Sequence, residues 1–197
     1  MRKDELLGLF SRPVLITELD SIIPPSLWDI AWAKNYTNSI SESTAILTLP
    51  EWQHVLDEVM LRVRDYLHGV MRVSHSTEIY VTESWLNKTD KGQSHHRHWH
   101  PNSVLSGVVF LQGDASSGAL RFITSEYAML EFDIVDSNLW NAKSWSVPAI
   151  PGTMVLFPSG LEHMTETYQG DASRISLSFN TFVRGPVNTG QLTRLAI

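Results

Sequence analysis

Gly92-Gln93-Ser94-His95-His96-Arg97-His98-Trp99-His100-Pro101-Asn102 is the most informative stretch of the chain. Four of the chain's eight histidines fall within six positions. On a strand, side chains alternate between faces, so His98 and His100 leave the same face and can chelate one ion without backbone strain. Imidazole nitrogen suits iron, copper, zinc and nickel. Further along, Pro151-Gly152 turns into the apolar run Thr153–Phe157, which Pro158-Ser159-Gly160 ends, and His163 follows. Arg174 then opens an alternating segment. A ligand pair, a distant third ligand and a fixed cation, in that order, point to a mononuclear metal site with an anionic organic ligand beside it.

Composition bounds what that metal site can be. With no cysteine among 197 residues, zinc-thiolate, iron–sulfur and thiol chemistry are excluded, and any metal must be held by nitrogen and oxygen. A net charge of −6 argues against a phosphate-backbone partner, so no nucleic acid is expected. No apolar run reaches the roughly 18–20 residues needed to span a membrane. Leu6–Phe10 is too short for a secretion signal, and a cytoplasmic address is expected. The length fits one domain over residues 1–197: a helical N-terminal layer to about residue 75, a β core over about 77–184, and a tail over 185–197.

Outward from the histidines, the texture changes in both directions. Pro50-Glu51-Trp52 opens the clearest helix, with Val55, Val59, Val63, Tyr66, Leu67 and Val70 on one stripe. A shorter helix is expected from Pro24-Pro25-Ser26 through Lys34, and a loop over 35–49. Residues 13–20, 77–87, 104–111, 120–124, 144–150, 153–157 and 174–183 read as strands, with a further short one over Leu130–Val135. Helices first and strands second, without β-α-β alternation, predict a mainly β fold. It is a two-sheet sandwich or jelly-roll barrel with the N-terminal helices buttressing one sheet.

In Arg174-Ile175-Ser176-Leu177-Ser178-Phe179-Asn180, Ile175, Leu177 and Phe179 share one face; Arg174, Ser176, Ser178 and Asn180 share the other. A wet outer face is the common reason for such alternation. Combined with three histidines, the polar face reads instead as the inside of a barrel, where a guanidinium holds a carboxylate and a nearby hydroxyl donates to it. Asn87 shares a strand face with Trp85 and can border the same cavity, although Trp85 alone reads as core. His95 and His96 read as rim residues that contact substrate, Arg121 and Arg184 as surface charges. No carboxylate pair is spaced for glycosidase work and no Gly-x-Ser-x-Gly elbow is present.

The combined order of these pieces resembles the Fe(II)/2-oxoglutarate-dependent oxygenases: His98-x-His100, Ser106-Gly107-Val108, Ser117-Gly118-Ala119, Pro151-Gly152-Thr153, His163 and Arg174-x-Ser176, over about residues 83–184. Trp85-x-Asn87, Gly92 and the His-x-His-Pro are similar to a branch of that superfamily in marine bacteria and phages. The resemblance implies a double-stranded β-helix, the cupin-like jelly roll, with iron at its open end. His98 and His163 would be histidine ligands, and Arg174, helped by Ser176, would anchor the distal carboxylate of 2-oxoglutarate. Asn87 and Asn180 join them as cosubstrate-binding candidates. The implied reaction converts 2-oxoglutarate to succinate and CO2 while a C–H bond is hydroxylated. One departure stands out: the family usually has Asp or Glu where His100 stands. The third ligand is then His100, the amide of Asn102, or water; His100 is preferred because it shares a face with His98.

Two other readings compete. A cupin-type metalloprotein with three histidines would not use 2-oxoglutarate, and a binding module would keep the fold without turnover. Gly92 and His98-x-His100 are similar to the first cupin motif, but its glutamate is missing. The substrate is expected to be a small molecule or a peptide, read by rim loops whose specificity sequence does not reveal.

Overall fold

The computed structural model describes residues 7–20, 25–124, 130, 132–188, 190 and 195–197. Its strands are β1 (Leu15–Glu18), β2 (Trp32–Lys34), β3 (Ser39–Ser41), β4 (Glu78–Thr89), β5 (His95–His98), β6 (Leu105–Gln112), β7 (Leu120–Ile123), β8 (Ser144–Val147), β9 (Thr153–Pro158), β10 (His163–Thr165), β11 (Arg174–Arg184), β12 (Pro186–Val187) and β13 (Leu195–Ala196). A seven-stranded antiparallel sheet runs β1-β9-β6-β11-β4-β3-β2, and a four-stranded one runs β5-β10-β7-β8. Packed face to face, they make the jelly roll.

The strand pattern explains which face holds the chemistry. Ile175, Leu177 and Phe179 of β11 and Leu86 of β4 are buried on the outer face of the large sheet. There they join Val55, Val59, Met60 and Val63 of α1 (Gln53–Arg64), so the helix buttresses that sheet. Each fully buried aliphatic or aromatic side chain contributes roughly 1.5–3 kcal/mol. This outer cluster is larger than the one between the sheets, which comprises Phe110, Leu120, Phe122, Val147, Ala149, Val155 and Phe157. Most of the apolar stabilisation therefore lies outside the barrel, which leaves part of its interior free to be polar. Gly107 faces Phe179 across the β6–β11 pair, and a Cβ there would overlap the phenyl ring, so only glycine fits.

Several segments differ from the sequence expectation. Residues 25–34 do not form a helix: a 3-10 turn over Pro25–Asp29 leads into β2. Pro24 lies outside the described residues. The polar segment 35–49 is not all loop, because it contains β3 and a 3-10 turn over Ile46–Thr48 with Ile46 and Leu47 fully buried. Tertiary pairing overrides local propensity here: β3 pairs with β4, Ser41 Oγ accepts from the Leu86 amide at 2.9 Å, and Ser84 Oγ accepts from the Leu47 amide at 2.8 Å. Residues 132–135 form no strand, and Glu131, inside the expected Leu130–Val135 strand, lies outside the described residues. Beyond residue 185, β12 and β13 pair with each other. Among the described residues no helix is long and apolar enough to cross a membrane.

Candidate metal centre

The small sheet carries the histidines. His163 opens β10 and pairs directly with His98 at the end of β5. Two residues further along β10, Thr165 pairs with His95, three residues back along β5. A β-bulge absorbs the mismatch and turns both His95 and His98 toward the cavity, which strict alternation would forbid. β5 ends at His98, so His100 is not on a strand; its backbone N–H donates to the Ser159 carbonyl at 2.9 Å, which brings its ring back to the other two. Arg97 and Glu162, which do not line the cavity, form an ion pair between the two histidine-bearing segments.

One nitrogen each from His98, His100 and His163 lie within 4.8 Å of one another. Ring centroids are 4.3 Å apart for His98 and His163, 5.0 Å for His98 and His100, and 5.2 Å for His100 and His163. His98 Nδ1 donates to the His96 carbonyl at 2.7 Å and His163 Nδ1 to the Leu161 carbonyl at 2.9 Å. A carbonyl only accepts, so both rings carry their proton on Nδ1 and keep a lone pair on Nε2. Metal-binding histidines are commonly oriented in this way. Burial holds the rings neutral: it pushes His163 down to about 3 and His100 down to about 4, and lowers His98, with the neighbouring imidazoles adding to the effect at His163 and His100. Three neutral, convergent nitrogen donors fit a borderline transition-metal ion. No Asp or Glu lines this cavity among the described residues. Asn102 sits exposed in a left-handed turn at φ 55° and does not line it.

The large sheet forms the opposite wall. β11 pairs with β4 so that Arg174 faces Thr89, Ser176 faces Asn87 and Ser178 faces Trp85, and all six line the cavity. The polar alternation of β11 therefore points inward. Trp85, read from sequence as core, borders the cavity 5.9 Å from the His100 ring. Arg174 is only 2% exposed. Its guanidinium donates to Thr165 Oγ1 at 3.0 Å and to the Gly118 carbonyl, with Thr89 Oγ1 at 3.5 Å. Gly118 has φ +70°, and a Cβ there would come within 2.6 Å of the guanidinium. No carboxylate pairs with Arg174 among the described residues, and burial brings it down to about 10. A buried cation without an anion is costly unless a ligand supplies one.

Asn180, expected with these residues, is not brought to the cavity. Its Oδ1 accepts from Ser106 Oγ at 2.7 Å and its Nδ2 donates to Glu83 Oε1 at 2.7 Å, so both ends of the amide are engaged elsewhere. Asn38, Thr89 and Thr165 do line the cavity and were not singled out in sequence. The alternation of Trp85, Asn87 and Thr89 would have found Thr89; nothing local marks Asn38.

Residues 83–180 match the family model for the 2OG-Fe(II) oxygenases. The chain belongs to this oxygenase family. The matched segment runs from β4 to β11 and includes all three histidines and Arg174. The family's name carries its two cofactors, Fe(II) and 2-oxoglutarate. The oxygenase fold has many solved relatives. HygX from Streptomyces hygroscopicus, solved with nickel, 2-oxoglutarate and hygromycin B, aligns at TM-score 0.57 and 12% identity over 89% of this chain and 83% of that one. SnoN, a non-heme α-ketoglutarate-dependent epimerase of nogalamycin biosynthesis, aligns at 0.57 and 13% over 80% and 68%. A 2OG-Fe(II) oxygenase-family oxidoreductase from Burkholderia pseudomallei aligns at 0.55 and 14% over 77% and 71%. At these identities the likeness establishes the fold. No curated protein matches the chain.

Proposed function

We propose that this oxygenase is an Fe(II)- and 2-oxoglutarate-dependent dioxygenase that hydroxylates a C–H bond of a small polar substrate or peptide, with release of succinate and CO2. One observation carries the reading: a buried guanidinium, without an anionic partner among the described residues, shares a cavity with three neutral imidazoles, one nitrogen of each within 4.8 Å of the others. Iron bound there would supply oxygen activation coupled to loss of CO2 from the oxoacid. His98, His100 and His163 hold the metal, His100 replacing the usual carboxylate. Three neutral ligands leave the full metal charge uncompensated, which favours a dianionic cosubstrate electrostatically.

The rest of the chemistry is positioning. Arg174 grips the distal carboxylate of 2-oxoglutarate through charge-assisted hydrogen bonds, fixed by Thr165 and the Gly118 carbonyl. Ser176 and Asn87 border the oxoacid on the same wall. Trp85 and His100 line the same cavity, and the apolar residues Val108, Phe110 and Phe157 limit water inside. HygX was solved with hygromycin B bound, and a small polar ligand of that kind is compatible with this reading.

The all-imidazole donor set favours a second reading, a three-histidine metalloprotein that does not turn over 2-oxoglutarate. Succinate formation separates the two. Iron-loaded protein in air, given 2-oxoglutarate and a panel of polar metabolites and peptides, should yield succinate with at least one of them and none after Arg174→Ala. Iron-loaded protein that forms no succinate with any panel member would favour the second reading.

A further inference from the structure

Buried polar atoms without partners are rare in folded proteins, because each forfeits a hydrogen bond it made to water. Among the described residues six such side-chain atoms occur, and three of them, Asn38 Nδ2, Asn87 Oδ1 and His95 Nδ1, belong to residues that line the histidine cavity. Asn38 is only 3% exposed. It lies in the β2–β3 turn, outside the family-matched segment, where its Oδ1 already accepts from Asn35 Nδ2 at 3.0 Å. Ser39 and Ile40 pair with Lys88 and Asn87, which lays the turn beside the Asn87–Thr89 end of β4. The neighbouring Thr37 hydroxyl donates to the Ser94 carbonyl, so the same turn is tied to the start of β5.

His95 approaches the same place from the small sheet. Its backbone N–H donates to Thr165 Oγ1 at 2.7 Å, the hydroxyl that also accepts from Arg174. Its ring centroid is 4.6 Å from that of His98. His95 thus stands between the anion anchor and the histidine triad. His95, His96 and His98 are also close enough to hold an ion. His98, however, has one free nitrogen, and His96 is exposed, whereas the triad with His100 and His163 is the more enclosed.

Resting on the function proposed above, we propose that Asn38 and His95 are two further cosubstrate-contacting residues: Asn38 Nδ2 and His95 Nδ1 donate to carboxylate oxygens of the oxoacid that Arg174 anchors. Arg174 supplies a cation without an anion, and these two atoms supply donors without acceptors. An oxoacid dianion has five acceptor oxygens and no donor, the complement of that set. A histidine ring carries a proton on at least one nitrogen in either charge state, so His95 has one to donate. Asn87 is compatible: its amide, rotated by half a turn, still bonds the Ser178 hydroxyl, which donates as well as accepts, and presents Nδ2 to the ligand.

The test is anaerobic titration of the iron-loaded protein with 2-oxoglutarate, followed by its metal-to-ligand absorption band and by calorimetry, with iron affinity measured separately. Asn38→Asp keeps the acceptor for Asn35 and replaces only the donor; it should weaken 2-oxoglutarate roughly tenfold or more. His95→Leu should weaken it roughly tenfold to a hundredfold, as for loss of a hydrogen bond to a charged group. His95→Asn, whose Nδ2 falls near the former Nδ1, should recover most of that loss. Iron affinity should stay at the wild-type value in all three. Unchanged 2-oxoglutarate affinity in Asn38→Asp and His95→Leu, beside a wild type that binds, overturns the inference while leaving the proposed function intact. Loss of iron in His95→Leu also overturns it, by making His95 a metal ligand. A wild type that loads iron but takes up no 2-oxoglutarate defeats the proposed function itself.

Discussion

Replacing Arg174 by methionine, which has a similar length and no charge, should separate stability from ligand binding. Burial lowers the Arg174 guanidinium from its ordinary value to about 10. At about 1.4 kcal/mol per pKa unit, keeping it charged in the empty cavity costs the fold about 3 kcal/mol. Opposing this are its bonds to Thr165 Oγ1 and the Gly118 carbonyl, each contributing about 1.5 kcal/mol as hydrogen bonds to a charged group. The two effects nearly cancel, so Arg174→Met should change the stability of the ligand-free protein by less than about 1 kcal/mol in urea unfolding. Binding should respond very differently. Loss of two charge-assisted hydrogen bonds to a carboxylate weakens 2-oxoglutarate by about 2–4 kcal/mol, or roughly 30- to 1,000-fold. Calorimetric titration of the iron-loaded variant measures that change directly. A loss of stability of about 3–5 kcal/mol with little change in 2-oxoglutarate affinity would instead make Arg174 a structural cation, because that is the signature of a buried ion pair losing one partner.

Four other outcomes follow from the same geometry. His98→Ala and His163→Ala should each abolish stoichiometric iron loading by elemental analysis, and retention of tight iron in either would remove that residue from the site. His100→Ala should lower iron affinity at least about tenfold whereas Asn102→Ala leaves it unchanged; the reverse pattern would move the third ligand to Asn102. Gly107→Ala forces a methyl group into the Phe179 ring and should cost about 1–3 kcal/mol in urea unfolding, with a value within 0.5 kcal/mol contradicting the packing account. The metal-free protein should lose stability as pH falls from about 6.5 toward 4. His163 is held neutral with its pKa down to about 3, so the unfolded chain binds the proton first, and stability present above 6.5 drains away below it. His163, only 5% exposed, accounts for about 3 kcal/mol of this loss between pH 6.5 and 4. A flat stability profile over that window would show that the ring is not desolvated.

Much of the fold and the centre of the site were legible in the chain because their signals are local. The alternation of Ile175, Leu177 and Phe179 against Arg174, Ser176 and Ser178 states both the strand and its two faces, and the outer apolar cluster shows why the polar face turns inward. The order of His98, His100, His163 and Arg174 needed only the jelly roll to bring the four side chains to one cavity. What escaped depends on pairing between distant segments. Helical spacing runs to Lys34 and 35–49 reads as loop, whereas the Trp32–Ser41 hairpin exists because β4 offers an edge and Ser41 and Ser84 offer hydroxyls to buried amides. The bulge that turns His95 inward with His98 is set by β10 and leaves no trace in the histidine segment itself. Asn180 shares the parity of Ser176 and Ser178, but parity does not reveal that Ser106 and Glu83 take up its amide before it reaches the cavity.

The central claim is that one cavity holds both a metal on three imidazoles and an oxoacid on Arg174. Its most direct test is to load the protein with one equivalent of Fe(II) without oxygen, add 2-oxoglutarate, and record the visible spectrum. A metal-to-ligand absorption band that saturates at one oxoacid per chain, and that is absent when His163→Ala protein is treated in the same way, is the predicted result. An iron-loaded protein whose spectrum does not respond to 2-oxoglutarate would contradict the account.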